Sequence, residues 1–129
     1  MALELDAATL RLKYGEPLAR ETFQVRPGVE MIVNYGPDRK VCMVEVPGAN
    51  SYQQLDELID ELAPPSERGR KVSGPRIIAR GGGNVRRYEI YEKVIISEPC
   101  DLDHPDRRTG VTISFNRPDC HSPKPESVS

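Results

Sequence analysis

Apolar positions recur along the chain with two different periods. Leu3, Ala7, Leu10 and Tyr14 follow helical spacing, with Asp6 placed to cap the start and Gly15 to close the end. Pro17 prevents continuation, so a short first helix is predicted. The period then drops to two. Phe23 and Val25, then Val29, Met31, Val33 and Tyr35, then Cys42, Val44 and Val46 alternate with other residues. Pro27-Gly28 fits the centre of a type II turn, and Gly36-Pro37-Asp38-Arg39 makes a second turn. A three-stranded antiparallel meander results.

Helical spacing returns after Pro47-Gly48. Ser51 and Gln54 form a capping-box pattern. Leu55, Leu58, Ile59 and Leu62 fall on one face, and Asp56, Glu57, Asp60 and Glu61 on the other, until Pro64-Pro65 stops the helix. Residues 63–75 read as a basic loop. Arg76–Ala79 reads as a strand, Gly81-Gly82-Gly83-Asn84 as a turn, and Val85–Ile96 as one long strand with Tyr88, Ile90, Val94 and Ile96 on a shared side. A polar loop covers 99–110. Val111, Ile113 and Phe115 make a last strand.

The element order predicts an α+β fold: an antiparallel sheet of about six strands with two helices on one face. Residues 3–46 and 51–115 read as two copies of an αβββ unit. Residues 1–117 form one domain and 118–129, rich in Pro, Ser and charge, a flexible tail. The sheet face away from the helices is left for water or a partner.

The stretch LRLKYGEPLARETF runs from a short helix through Tyr14-Gly15-Glu16-Pro17 into a hairpin. It resembles the helix–G-x-P–hairpin modules of small bacterial envelope proteins, namely the BamE/SmpA-like lipoproteins and the β-lactamase-inhibitor-like domains. The resemblance covers about a third of the chain by order of elements. It implies a non-catalytic, exported binding or scaffolding role and assigns no individual functional residue.

Composition narrows the classes. A net charge of −2 over 129 residues gives no strong field toward nucleic acid or anionic membrane. No apolar run approaches membrane-spanning length. No signal peptide is visible, and Met1-Ala2 followed by ELDAATL fits a native start and a start after a removed export signal equally. Charge is nevertheless uneven. Between Pro64 and Ser97 there are eight basic residues against three acidic ones, whereas residues 1–63 hold eleven acidic against six basic. Arg68, Arg70, Lys71, Arg86 and Arg87 are therefore candidate binding residues for an anionic partner, against the plainer reading of a solubilising loop.

The densest chemistry is CDLDHPDRRTGVTISFNRPDCH, residues 100–121. Asp101, Asp103, His104 and His121 are candidate metal ligands or hydrolytic groups, but adjacent Cys120 and His121 do not have zinc-ligand spacing. A disulfide between Cys100 and Cys120 asks for less and contributes about 3 kcal/mol by loop closure. Pairing of Cys42 with either remains open, and an unpaired Cys42 within a strand would be inert. Arg80-Gly-Gly-Gly-Asn84 lacks the following helix that a phosphate loop needs.

The expected function is a non-enzymatic exported or envelope protein that binds a protein or other macromolecule through its sheet face or basic loop, without a cofactor. The alternatives are a metal-binding protein or hydrolase built on the 100–121 cluster, and an anionic-ligand or nucleic-acid binder built on the 68–87 arginines. Nucleic acid is the less favoured partner, because only Tyr88 and Tyr91 lie near for stacking.

Overall fold

A computed structural model describes residues 5–15, 21–80, 84–104 and 106–120. In chain order its elements are α1 (Ala7–Tyr14), β1 (Thr22–Arg26), β2 (Val29–Tyr35), β3 (Val41–Val46), α2 (Tyr52–Leu62), β4 (Lys71–Arg80), β5 (Asn84–Tyr91), β6 (Val94–Pro99) and β7 (Val111–Phe115). Short 3-10 turns occupy Pro65–Glu67 and Pro118–Cys120. All neighbouring strands are antiparallel, in the order β1-β2-β3-β7-β6-β5-β4.

The α+β class and the antiparallel sheet agree with the sequence pattern, but the sheet has seven strands rather than six. The expected long strand 85–96 breaks at Glu92-Lys93, and Ile90 pairs with Ile95 across the turn. The Glu92 and Lys93 amides donate instead to the Arg70 and Arg68 carbonyls, each at 2.9 Å, which takes both residues out of the β5–β6 ladder. The basic loop is shorter than expected, because β4 already begins at Lys71. The halves therefore contribute a helix with three strands and a helix with four.

Local chemistry explains the helices. Asp6 accepts a hydrogen bond from the Thr9 amide at 2.8 Å, and Gly15 closes α1 with φ +80°. In α2, Ser51 Oγ accepts from the Gln54 amide at 3.0 Å, while Gln54 Oε1 reaches back one residue further than the capping box requires, to the Asn50 amide. Leu55, Leu58, Ile59 and Leu62 are all buried. They join one core with Leu10, Phe23, Met31, Val33, Val44, Val94 and Ile113. Burying each such side chain contributes roughly 1.5–3 kcal/mol.

Both helices cover the same side of the sheet. Glu61 of α2 accepts from Arg26 of β1 at 2.8 Å and from the Tyr14 hydroxyl of α1, with Lys13 at 3.7 Å. Burial raises the Tyr14 hydroxyl pKa above its usual value, and the Glu61 carboxylate adds to that. One consequence of the strand order is that the start of β7 passes close under the end of β3. A Cβ at Gly110 would lie 2.3 Å from the Val46 carbonyl oxygen, so only glycine fits.

Candidate functional site

The Asp-His segment folds into its own turn. The His104 amide donates to the Asp101 carbonyl at 3.0 Å, and the Asp103 amide to Asp101 Oδ1 at 2.9 Å. Asp101, Asp103 and His104 are all exposed. Among the described residues, no group of three or more His, Cys, Asp or Glu side chains converges on a cation position. His121 lies outside the described residues.

The Cys100–Cys120 pairing is incorrect. Cys120 is joined to Cys42, with Cα atoms 5.3 Å apart, and Cys100 is a free, partly buried thiol. The reason is topological. β6 and β7 are antiparallel, so Cys100, after β6, lies at the start of β7 and far from the segment that leaves its other end. β3 flanks β7 on its other side, also antiparallel, which brings Cys42 near the start of β3 beside the chain leaving Phe115. Arg117 supports this corner. Its guanidinium donates to Asp38 Oδ2 at 3.0 Å and to the Val41 carbonyl at 3.1 Å. The Pro118–Cys120 turn, expected to start a tail, is therefore tied to the sheet, and 121–129 lie outside the described residues.

The basic candidates do not gather in one place. Arg68 is buried: its Nε donates to the Ala63 carbonyl at 2.8 Å, Nη2 contacts Asp60 at 2.8 Å, and the guanidinium lies 5.3 Å from the Tyr91 ring. It caps the end of α2. Arg70 pairs with Glu92 and Lys71 with Glu89. Arg86 and Arg87 are consecutive in β5, so they face opposite sides of the sheet. Arg86 alone of the five stands on the side without helices and makes no carboxylate contact among the described residues. It donates instead to Ser97 Oγ at 3.0 Å and Thr112 Oγ1 at 3.1 Å.

On the helical side, a cleft of about 300 Å³ lies between α2 and β5–β6, lined by Asp56, Asp60, Arg68, Glu89, Glu98 and Arg108. Its four carboxylates outnumber its two arginines, and Glu89 is paired with Lys71. Arg108 grips Glu98 through two hydrogen bonds, 2.9 Å from Nε and 2.8 Å from Nη2, and contacts Asp56 at 2.8 Å. The hydrogen bond to Glu98 is the main force raising the Arg108 pKa, against a burial penalty. This pair ties loop 100–110 to the sheet, a role no sequence motif around Arg108 signals.

The remaining surface is the bare face of the sheet, and its composition follows from register. Residues paired directly across strands share a face. One row crosses all seven strands: Thr22, Ile32, Glu45, Thr112, Ser97, Tyr88, Arg76. The next row toward one edge of the face holds Asn34, Met43, Ser114, Ile95, Ile90 and Ser73. On the opposite flank lie Gln24 and Glu30 at one end and Arg86 and Ile78 at the other. Apolar Ile32 and Met43 on one side, and Ile95, Ile90 and Tyr88 on the other, therefore flank the polar Thr112 and Ser114 of β7. Acidic Glu30 and Glu45 stand on the β2–β3 side and basic Arg76 and Arg86 on the β5–β4 side. Sequence alternation groups Tyr88 and Ile90 with Val94 and Ile96. The Glu92-Lys93 turn separates them, putting Val94 and Ile96 in the core and Tyr88 and Ile90 outside with Ile95.

These features define an α+β protein with one helical layer and one uncovered sheet face. No protein-family model matches the chain, and no curated protein matches it in sequence. Among solved structures it is similar to a DUF4309 family protein, YjgB, from Bacillus subtilis, with 10% sequence identity, a TM-score of 0.53, and coverage of 85% of this chain and 78% of that one. At this identity the likeness concerns the fold alone.

Proposed function

We propose that this chain is a non-enzymatic binding or scaffolding module that docks a macromolecule on its uncovered sheet face, in an oxidising compartment outside the cytoplasm. The observation that carries the reading is the set of apolar side chains Ile32, Met43, Ile95, Ile90 and Tyr88, opposite a face that α1 and α2 seal. Apolar side chains gathered on an uncovered face and rimmed by polar residues are a usual mark of an interaction site, and here two such groups flank Thr112 and Ser114 of β7. The Cys42–Cys120 disulfide supports the compartment, because such bonds persist where thiols are not kept reduced. No helix among the described residues is long and apolar enough to cross a membrane. The resemblance to BamE/SmpA-like and β-lactamase-inhibitor-like modules agrees with this role, and the repeated order of helix then meander supports a duplicated origin.

The test is a photo-reactive residue placed at Ile95 in cells of the source organism, with Leu12, 90% exposed on α1, as control. Adducts from Ile95 but not from Leu12 are expected. No adduct of any kind from Ile95 would contradict the proposal.

A further inference from the structure

Resting on that reading of the sheet face, we infer that its occupant is a second copy of this chain, docked sheet on sheet about a two-fold axis running along β7. The positions of charge on the face point to this occupant. With β7 at the centre, β2 and β5 stand two strands away on either side, and β3 and β6 stand one strand away. A two-fold axis parallel to the strands exchanges left for right and keeps each row in register with itself. Glu45 then lies over Ser97 of the second copy, where the Arg86 guanidinium is held, Ile32 faces its Tyr88, and Met43 faces its Ile95. Every contact occurs twice, as an isologous interface requires.

The other face-to-face symmetry, with the axis across the strands, sets β2 on β2 and β4 on β4. That places the Glu30 and Glu45 side against itself and Arg76 and Arg86 against their own kind, an arrangement like charges disfavour. Charge therefore selects one of the two ways in which the faces can meet. The half-buried Arg86, held toward the middle of the face by Ser97 and Thr112 and lacking a carboxylate in its own chain among the described residues, is supplied with Glu45 of the second copy, which the axis sets over Ser97. Glu45 is exposed and makes no ion pair among the described residues of its own chain.

The footprint suits a modest interface. Seven strands spaced about 4.8 Å apart, over five residues at about 3.3 Å each, span roughly 29 by 17 Å. Standard interfaces bury about 800 Å² of accessible surface per partner, so this face, at roughly 490 Å² even when fully engaged, makes an interface of the small, weakly associating class. The dimer is expected to be reversible, with aligned sheets about 10 Å apart.

The experiment is sedimentation equilibrium of the full chain with its disulfide intact, over a wide concentration range. The native chain is expected to show a monomer–dimer equilibrium. Glu45→Arg, at an exposed position, should weaken association at least tenfold, and Arg86→Glu should do the same. An equimolar mixture of the two variants should regain near-native association, because both exchanged charges again meet opposite signs. If Arg86→Glu does not fold by circular dichroism, Ile95→Glu replaces it as the second disrupting variant, and Glu45→Arg alone decides the charge pairing. A native chain that stays monomeric throughout, or a dimer indifferent to Glu45→Arg, would overturn self-docking. If adducts from Ile95 meanwhile contain only other macromolecules, the sheet-face reading stands and the identity of its partner changes.

Discussion

Cys42 and Cys120 are 78 positions apart in sequence and covalently joined, because β3 and β7 are antiparallel neighbours and the start of one lies beside the end of the other. The bond closes most of the sheet, α2 included, into a single loop. Thiol titration in denaturant without reductant should find one thiol per chain, Cys100, and three after reduction. In the chain-entropy account a loop of this length contributes about 4.5 kcal/mol. Cys42→Ser and Cys120→Ser should each lower unfolding stability by several kcal/mol, measured by chemical denaturation, whereas Cys100→Ser should not.

Arg108 and Glu98 make the most enclosed ion pair of loop 100–110, with side chains 18% and 11% exposed. Removing one partner strands a charge in a dry site, which costs roughly 3–5 kcal/mol for a fully buried pair. Some exposure lowers this, so Arg108→Ala should cost about 2–3 kcal/mol. The double substitution Arg108→Met with Glu98→Leu should recover most of that loss. Urea unfolding of the native chain and both variants checks these statements.

Acid should loosen the contact between α1, α2 and β1. Burial raises the Glu61 pKa, but hydrogen bonds from Arg26 and Tyr14, with the Lys13 charge, outweigh this and hold the carboxyl below 4.5. A carboxyl depressed in the folded state binds protons less readily there than in the unfolded chain. Its stabilisation is present above 4.5 and is lost as pH falls through the folded value. Asp6 and Asp38 are lowered as well and act in the same direction. Stability should therefore fall on acidification below about pH 4.5. In Glu61→Gln the fall should be shallower and the starting stability at neutral pH lower, as read from denaturation midpoints across the range.

Gly110→Ala should be among the most damaging single-methyl changes. The added Cβ meets backbone at the end of β3 and just after it, 2.3 Å from the Val46 oxygen and 2.5 Å from that of Pro47, and neither can rotate away. Overpacking of this kind costs about 1–3 kcal/mol. Gly48→Ala, where a Cβ meets nothing within 4 Å, is the control and should be nearly neutral in thermal unfolding.

Local patterns made much of the fold legible. The 3.6-residue spacing of Leu55, Leu58, Ile59 and Leu62 identified α2 and its buried face, and Asp6 and Gly15 marked the ends of α1. Register was less accessible. Continuous alternation through 85–96 conceals a two-residue turn, and that turn moves Tyr88 and Ile90 to the opposite side of the sheet from Val94 and Ile96. The disulfide was misassigned for a related reason. Spacing brings Cys100 and Cys120 together, whereas the order of strands brings Cys42 to Cys120. The basic residues looked like one patch because they are close in sequence, yet alternation divides Arg86 from Arg87 and capping consumes Arg68. The apolar set on the sheet face has no sequence signature, since its five members come from four strands that only long-range pairing aligns.

The central claim is that the uncovered sheet face docks a second copy. Its most direct test is the accessibility of the Ile90 and Ile95 methyl groups to a soluble paramagnetic agent, followed by NMR as concentration rises. Self-docking predicts that both methyls are reached in dilute solution and become protected at high concentration, while Leu12 on α1 stays accessible throughout. Equal broadening of Ile90 and Ile95 at all concentrations would contradict it.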